Sequence, residues 1–435
     1  MQKVKVIGGG LAGAECAYYL ATHGVKVELY DIKPHSFTPA HKSEMFGELV
    51  CSNSLKSNDI YGNAAGLLKQ EMRELGSLVI EAGDKTRVPA GNALAVDRDK
   101  FAEFITNRLK EQKNITFISE EVKDINPNEF TIVASGPLTT SVLSENLKKF
   151  VGDGLSFYDA SAPIIDADSI DMEHAFVGDR WDKGDGDHIN CPMNKEEYLE
   201  FINALLLAER AELHGFENTA VFEGCMPIEV MATRGTDTLR FGPLKPAGLT
   251  DPKTGRWPYA CLQLRKEDGF GKMYNLIGFQ TNLLFPEQKR VFSIIPALKN
   301  AEYMRYGVMH RNTFINSTKV LDSDYSLKEH GKVFFAGQIT GVEGYVESAG
   351  SGLMAGIYCE RKLNGKSDVR VSANTVLGSL ARYITTTNQD FQPMNANFGV
   401  LPPLDRIVRD KAERKRLMAE RSLKEIIDFK KEIEL

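Results

Sequence analysis

The stretch VKVIGGGLAG, residues 4–13, decides the fold. Its glycines follow the pattern Gly8-x-Gly10-x-x-Gly13. In this pattern the first glycine permits a tight turn, the second lets the backbone approach a pyrophosphate, and the third lets a helix lie close to a strand. A phosphate then binds at the helix N-terminus, where free N–H groups and the helix dipole favour anions.

The residues around the glycines supply the rest of a βαβ unit. Residues 4–7 predict a short buried strand, and residues 11–22 have the apolar spacing of a helix. Residues 25–30 predict a second strand that ends at Asp31, an acid spaced to bind a ribose hydroxyl. Because an acid there would repel a ribose phosphate, we expect an adenosine without one.

Two later segments indicate which dinucleotide binds. IVASG, residues 132–136, and VFFAG, residues 333–337, each predict a strand that ends in a small residue and a glycine. They resemble the middle and second FAD fingerprints of glutathione-reductase-like flavoproteins. A simple NAD dehydrogenase would need only the first glycine loop, so we expect FAD. Glu343 is a further candidate for lining the flavin site, and the predicted cofactor-binding residues are Gly8, Gly9, Gly10, Leu11, Ala12, Gly13, Asp31, Gly136, Gly337, Gly341 and Tyr345.

Composition excludes several classes of protein. The 435 residues are 42% hydrophobic and 26% charged, which is typical of globular domains and excludes disorder. The apolar run before Gly8 is too short for a signal peptide, and no segment approaches 18 uninterrupted apolar residues. The six cysteines are dispersed without a C-x-x-C pair, so we expect thiols rather than disulfides or metal ligands. We therefore expect a cytoplasmic protein with no membrane segment and no metal.

We expect an α/β fold in which a glutathione-reductase-like Rossmann FAD-binding domain is interrupted by a mixed α/β insertion domain. The expected boundaries are 1–150 and 313–404 for the two parts of the FAD-binding domain, 151–312 for the insertion and 405–435 for a charged helical extension. Helices are predicted at 64–75, 99–110, 195–214 and 406–435, and residues 33–63 form an irregular segment typical of an active site.

Charge is distributed unevenly along the chain. The net charge is −6, yet residues 234–312 carry thirteen Lys/Arg against six Asp/Glu. This asymmetry favours a basic face on the insertion, suited to phosphates. Residues 406–424 carry eight basic against three acidic residues, for which a solvated surface helix is an equally good interpretation.

Two cysteines lie in segments that favour reactivity. Cys51 is in ELVCSNSLK, residues 48–56, and Cys225 is in FEGCMPIE, residues 222–229. A thiolate can act as a nucleophile or as an acid/base group when it is partly exposed, and Lys56 and loop N–H groups could favour the charged form of Cys51. The alternative is that each cysteine is simply buried. Core or surface positions are expected for the others, Cys16, Cys191, Cys261 and Cys359.

Longer stretches resemble a known family, the folate- and FAD-dependent tRNA uracil-5-methyltransferases. The resemblance extends to about Leu404, and the tail beyond looks like an added extension. Among the stretches that carry it are TPAHKSEMFGELVCSNSLKSN (38–58), EGCMPIEVMATRG (223–235), LRFGPLKPAGL (239–249), IGFQTNLLFPEQKRVF (277–292), YGVMHRNTF (306–314) and GQITGVEGYVESAGSGLMAG (337–356).

The resemblance implies a reaction. Methylenetetrahydrofolate supplies a one-carbon unit, reduced FAD relays and reduces it, NADH or NADPH recharges the flavin, and the product is 5-methyluridine in the T-loop of tRNA. Cys51 and Cys225 inherit the roles of nucleophile at uracil C6 and acid/base group. We favour Cys51 as the nucleophile because the flavin domain lies beside it. His310 matches a histidine that stacks on the folate pterin, and the insertion helps to form the RNA and folate site.

Three alternatives stay open from the sequence. The same chemistry could act on a uridine of 23S ribosomal RNA. A wobble-uridine-modifying flavoenzyme is a second possibility, but that family is longer and has a C-terminal helical domain for a GTPase partner. A non-enzymatic flavin- or NAD-binding regulator would leave the settings of Cys51 and Cys225 unexplained. We expect no obligate protein partner.

Overall fold

The computed structural model describes residues 3–152, 155–182, 186–211, 226–266, 271–387, 391 and 393–434, without the side chains of 155–160, 182 and 310–313. In chain order the strands of this part are β1 (Lys3–Ile7), β2 (Lys26–Asp31), β3 (Ser54–Ser57), β4 (Arg87–Val88), β5 (Ala93–Val96), β6 (Ile115–Ser119), β7 (Thr131–Val133), β8 (Leu155–Ala160), β9 (Ile164–Asp166), β10 (Phe176–Val177), β11 (His188–Met193), β12 (Ala260–Lys266), β13 (Met273–Leu276), β14 (Tyr303–Arg305), β15 (Met309–Phe314) and β16 (Val333–Phe335).

The helices of the same part are α1 (Leu11–Thr22), α2 (Ala64–Glu74), α3 (Leu78–Lys85), α4 (Arg98–Lys110), α5 (Ser141–Val151), α6 (Lys195–Leu207), α7 (Ile228–Ala232), α8 (Thr238–Phe241), α9 (Phe285–Phe292), α10 (Ser317–Val320), α11 (Tyr345–Leu363), α12 (Val376–Thr385) and α13 (Lys411–Glu432). Within the described ranges, no helix is both long enough and apolar enough to cross a bilayer.

A five-stranded parallel sheet, in the order β16-β7-β1-β2-β6, joins four strands from residues 3–133 to β16 at residues 333–335. Neighbouring residues point to opposite faces, as the two-residue period of a strand requires. Ile132 and Phe334 pack with α1 and α11 on one face, whereas Val133 and Phe335 pack with α5 on the other. This sheet between helices confirms the predicted α/β fold.

The helices α1 and α11 cross at glycines. A Cβ on Gly352 would lie 2.3–2.8 Å from backbone atoms of Ala12, and one on Gly356 would lie 3.2 Å from Cys16 Cα. Side chains at these positions would push the two helices apart. Gly352 and Gly356 therefore let α11 lie against the first βαβ unit.

A second sheet of six strands, in the order β10-β11-β12-β13-β9-β14, is antiparallel and has its own apolar core. Leu262, Leu264 and Leu276 of this sheet pack with Phe201 of α6 and Phe292 of α9. The chain enters and leaves this region through β8 and β15, which pair antiparallel. Separately, β3, β5 and β4 form a small sheet.

Three element predictions need correction. The helix predicted over 195–214 ends at Leu207, because Ala208 is extended and Arg210 forms a β-bridge with Leu283. The C-terminal helix begins at Lys411 rather than 406, since the Asp410 side chain caps it by accepting from Glu413 N at 2.7 Å. The segment 33–63, expected to be irregular, contains β3.

Candidate active site

A cleft of about 1180 Å³, including its open mouth, lies at the carboxyl ends of the parallel strands. Ligands of open α/β sheets bind at this edge, where the strand order reverses on either side of β1. Among the predicted cofactor residues, those that line the cleft are Gly8, Gly9, Gly10, Leu11, Ala12, Asp31, Gly136, Gly337 and Tyr345. Gly13 and Gly341 are not part of its wall.

The three glycines of the first loop differ in what surrounds them. Gly8 has a φ of +103°, and a Cβ on it would lie 2.5 Å from the Ala134 carbonyl oxygen. A Cβ on Gly13 would overlap the Gly8 carbonyl oxygen. A Cβ on Gly10, in contrast, would meet no described atom within 4 Å. Gly8 and Gly13 are therefore required by the protein itself, whereas Gly10 faces space that belongs to the cleft.

Asp31 is already part of the loop's hydrogen-bond network. Its Oδ2 accepts from Gly9 N at 2.7 Å, and its Oδ1 accepts from Lys33 N at 2.9 Å. Each carboxylate oxygen has a second lone pair, so the side chain can still accept from a ribose hydroxyl. Asp31 thus fixes the glycine loop and lines the nucleotide end of the cleft.

The second fingerprint contributes a left-handed turn and a helix N-terminus. Gly337 has a φ of +84°, and a Cβ on it would lie 3.0 Å from Ala12 Cβ. Gly341 also has a positive φ, and its absent Cβ leaves room for the Phe391 ring. Glu343 is buried and accepts from Gln338 Nε2 at 2.6 Å. Gly341 and Glu343 therefore shape the turn behind the wall of the cleft.

These features fit a dinucleotide such as FAD. The N-cap of α1 is Gly10 and that of α11 is Gly344; in the part of the chain that the structure describes, neither helix has a side-chain cap. Their first N–H groups have no partner within the helix, as at every helix N-terminus. A pyrophosphate at Gly10 would supply acceptors and a negative charge where both are favoured.

Several residues that line the cleft were not predicted from the sequence. They come from the segment 33–63, from the residues after β6, from the loop after β7, from the turn after β16 and from α11. They include Lys33, Thr38, His41, Glu48, Val50, Glu120, Glu121, Ser135, Thr139, Gln338 and Ser348. Burial lowers the pKa of Lys33 and of His41. The irregular texture of 33–63 was the available signal, although it did not single out individual side chains.

Cys51 lies beside this cleft. It forms no disulfide and the residue is partly exposed, and the preceding residue, Val50, lines the cleft. The Tyr345 hydroxyl accepts from Cys51 N at 2.5 Å and from Ser52 N at 3.1 Å. Arg98, at the start of α4, donates to the carbonyls of Leu49 at 2.9 Å and of Cys51 at 3.3 Å. The backbone around the thiol is thus held by side chains from two helices.

Tyr345 connects the thiol to the cleft. It is the first residue of α11 and lines the cleft, while its hydroxyl reaches the Cys51 backbone. Burial raises its pKa above the usual range, so the phenol stays protonated at neutral pH. A phenol oxygen can accept these two hydrogen bonds while keeping its own proton.

The remaining predicted site residue and cysteines are His310, Cys225, Cys16, Cys191, Cys261 and Cys359. Cys225 lies outside the described residues. His310 is in β15 with its backbone opposite Asp159, and its side chain is not described. The thiols of Cys16, Cys191, Cys261 and Cys359 are buried in the core, and burial raises the pKa of each; for Cys261 it reaches about 12. Among the five described cysteines, only Cys51 has the exposure that a reactive thiol needs.

The broad class of this protein follows from a matching protein family and from similar crystal structures. The family described as glucose inhibited division protein A matches residues 3–367. Two crystal structures of Aquifex aeolicus GidA superpose with a TM-score of 0.73 over 99% of this chain, covering 73% and 76% of the GidA chains at 17% and 18% identity. At that identity the likeness shows the fold alone, and it agrees with the cleft and parallel sheet described above.

Relatives at higher identity define the family more narrowly. They carry the name methylenetetrahydrofolate–tRNA-(uracil-5-)-methyltransferase TrmFO. The protein from Lactobacillus gasseri is 54% identical over 100% of both chains, that from Acetivibrio thermocellus 54% over 98% of both, and that from Staphylococcus aureus 53% over 99% of both. The chain therefore belongs to the glucose inhibited division protein A family and, within it, to the TrmFO family. Since the matches are full-length, these relatives share the tail beyond Leu404.

Proposed function

We propose that this protein converts a uridine in the T-loop of tRNA to 5-methyluridine, with methylenetetrahydrofolate as the carbon donor, FAD as the bound cofactor and NADH or NADPH as the reductant. The observation that carries the proposal is a partly exposed cysteine outside any disulfide, Cys51, beside a dinucleotide cleft in a chain that matches the TrmFO relatives over its full length. The overall reaction balances when methylenetetrahydrofolate donates CH₂, the nicotinamide a hydride and solvent a proton, giving 5-methyluridine and tetrahydrofolate.

The glycine loop, Asp31, Gly136 and Gly337 hold FAD in this proposal, with Gly13 and Gly341 shaping the loop and the turn behind it. Bound there, FAD supplies the reducing equivalents for the one-carbon unit. The support is geometric: the cleft has open space at Gly10 and two helix N-termini without side-chain caps among the described residues. Tyr345 lines the flavin end and holds the Cys51 backbone.

The thiols carry the chemistry at uracil. Attack of the Cys51 thiolate on C6 makes C5 nucleophilic, and a bond forms between C5 and the one-carbon unit. A base, for which Cys225 is the candidate, then removes the C5 proton, and the freed electron pair expels the carrier of the one-carbon unit as the carbon's bond to it breaks. A hydride that originates from the nicotinamide completes the methyl group, and the C5–C6 double bond re-forms as the thiolate leaves. His310 is proposed to stack on the folate pterin.

The domain boundaries at 150, 312 and 404 belong to the same proposal. The region between β8 and β15 contains the six-stranded sheet and the basic segment 234–312, which suits it to RNA phosphates. We further propose that the protein acts in the cytoplasm, without a membrane or an obligate protein partner.

The test uses isotope-labelled methylenetetrahydrofolate, NADH or NADPH, and RNA from cells that lack this gene. We expect a yellow protein and label in 5-methyluridine of the tRNA T-loop only when folate and nicotinamide are both present. A tRNA with cytidine in place of the target uridine is the control. Label found only in 23S ribosomal RNA would mean that ribosomal RNA, not tRNA, is the substrate. The absence of label from every RNA would reject the proposal.

A further inference from the structure

Arg265 lies in the six-stranded sheet, yet its guanidinium binds the residues that follow Cys51. It is near the end of β12 and only 9% exposed. Its Nη2 donates to Ser52 Oγ at 2.8 Å and its Nε donates to Asn53 Oδ1 at 3.1 Å. One side chain of the antiparallel sheet therefore binds the two residues that follow Cys51 in the chain, Ser52 and Asn53.

Asn53 completes this connection. It is fully buried, and its Nδ2 donates to the Lys266 carbonyl at 2.8 Å and to the Val96 carbonyl at 3.1 Å. Val96 N donates in return to the Asn53 carbonyl at 3.0 Å. Asn53 thus joins β12 of the large antiparallel sheet to β5 of the small one, and Arg265 fixes the orientation of its amide.

The cost of burying an arginine suggests that the connection has a role beyond packing. Removing a guanidinium from water is expensive, and apolar side chains of similar volume often stabilise a protein as well or better. What a forked guanidinium adds is direction, because its donors are fixed in one plane. Here two of those donors point at the residues next to a thiol that must approach a uracil carbon.

We propose that Arg265 is a positioning residue for Cys51, which fixes Ser52 and Asn53 from the antiparallel sheet and so sets the direction of the thiol. The inference rests on the proposed function, in which Cys51 reacts with uracil. Together with Tyr345 and Arg98, Arg265 holds the cysteine segment from three separate elements. A displacement of about 1 Å in reacting groups can cost on the order of a hundredfold in rate.

The test compares Arg265→Gln with the wild-type holoenzyme in methyl transfer to tRNA. We expect kcat to fall roughly ten- to a hundredfold, while KM for tRNA, flavin content and RNA-independent reduction of the flavin by NADH or NADPH stay near wild type. Arg265→Lys should recover part of kcat because it keeps the charge and one donor. The control is Arg73→Gln, which removes an arginine that, like Arg265, binds a side-chain amide, that of Asn58, and that also binds the Asp84 carboxylate.

A second variant tests the hydrogen bond from the other side. Ser52→Ala removes the acceptor of Arg265 Nη2, and it keeps the test available where Arg265→Gln does not fold. Ser52→Ala should lower kcat several-fold in the wild-type background, and it should lower kcat much less when Arg265 is already glutamine. Additive effects of the two changes would overturn the inference.

The remaining outcomes separate this inference from the proposed function. A raised KM with unchanged kcat would make Arg265 an RNA contact, and lost flavin with lowered thermal stability would make it structural; either rejects a positioning role. An active wild type with an equally active Arg265→Gln overturns this inference alone. A wild type that forms no 5-methyluridine overturns the proposed function, and the inference with it.

Discussion

Two pairs of helix N-termini in this molecule differ in what satisfies their free N–H groups. The carboxylate of Glu15 accepts from the first two N–H groups of α3 at 2.8–2.9 Å, and that of Glu71 accepts from the first two of α12 at 2.7–2.9 Å. Both helices also have hydroxyl caps, Ser77 and Thr375. The helices α1 and α11 begin instead at glycines and open on the cleft.

This difference between the helix N-termini indicates where a negatively charged ligand would bind. A helix N-terminus favours a hydrogen-bond acceptor wherever it lies, and the protein supplies a side-chain carboxyl group itself at α3 and α12. At α1, which has no acidic residue in its first turn, the space is left to the ligand, whereas the first turn of α11 carries the Glu347 carboxylate, which pairs with Lys56. We call the N-termini of α3 and α12 closed ends and those of α1 and α11 open ends. The closed ends contribute to the stability of the fold, whereas the open ends contribute to binding. Substitutions at the two kinds of end should therefore have different effects.

The largest expected effect is at the open end of α1. In Gly10→Val the new side chain would occupy the cleft and exclude a pyrophosphate, while meeting no described atom within 4 Å at its Cβ. We expect a folded, colourless protein without methyl transfer. Flavin absorbance and circular dichroism measure the two properties.

Gly13→Val is the matched control, because its Cβ would overlap the Gly8 carbonyl oxygen. This variant should be unstable as well as colourless. A fully yellow Gly10→Val protein would refute the position of FAD at α1.

The next largest effect is expected at Cys51, whose backbone is bound by Tyr345, the first residue of α11. Cys51→Ala should fold and stay yellow, since it removes one sulfur from a partly exposed segment, and it should lose methyl transfer. With RNA that carries 5-fluorouracil at the target position, C5 has no proton to release and the covalent adduct persists. Denaturing gel electrophoresis detects that adduct.

Cys225→Ala is the companion variant. If Cys51 is the nucleophile, Cys51→Ala traps no RNA, whereas Cys225→Ala still traps it without turnover. The reverse pattern would exchange the two roles, and wild-type turnover in both variants would return the cysteines to a structural interpretation.

A smaller effect is expected for the hydroxyl that joins α11 to Cys51. Tyr345→Phe keeps the ring against the cleft but removes the acceptor of the Cys51 and Ser52 N–H groups. Leaving such groups unsatisfied costs about 1–3 kcal/mol, so we expect kcat to fall about tenfold while most of the flavin stays bound. Stopped-flow turnover and flavin titration provide the comparison, and unchanged kcat would show that the hydroxyl does not hold the thiol.

The sequence predicted the open ends better than the contacts between distant segments. The helix over 11–22 and the roles of Gly8 and Gly13 follow from local spacing and from backbone sterics, which a single segment contains. Tyr345 and Arg265 reach the Cys51 segment across 294 and 213 residues, and no local pattern encodes such a contact. The early end of α6 has the same cause, since its limit is set by pairing with Leu283.

The smallest expected effect is at a closed end, and it appears in the pH dependence of stability. Burial raises the pKa of Glu71 from 4.5 to about 7, although hydrogen bonds from Ser422 and from α12 oppose that rise. The folded protein therefore binds this proton more tightly than the unfolded chain. The resulting stabilisation is fully present below pH 4.5 and is lost as the pH rises to about 7, a change of up to about 3 kcal/mol at 1.4 kcal/mol per pKa unit.

Glu71→Gln has no carboxyl to titrate, so its free energy of unfolding should depend less on pH between 4.5 and 7 than that of the wild type. Denaturant unfolding at a series of pH values measures the free energy of unfolding of both proteins. The difference between the two values removes the contribution of the carboxyl groups that both proteins contain. Glu103→Gln, on the exposed side of α4, is the control and should follow the wild-type curve. Parallel curves for Glu71→Gln and the wild type would mean that Glu71 is ionised throughout, held by the helix N-terminus despite its burial.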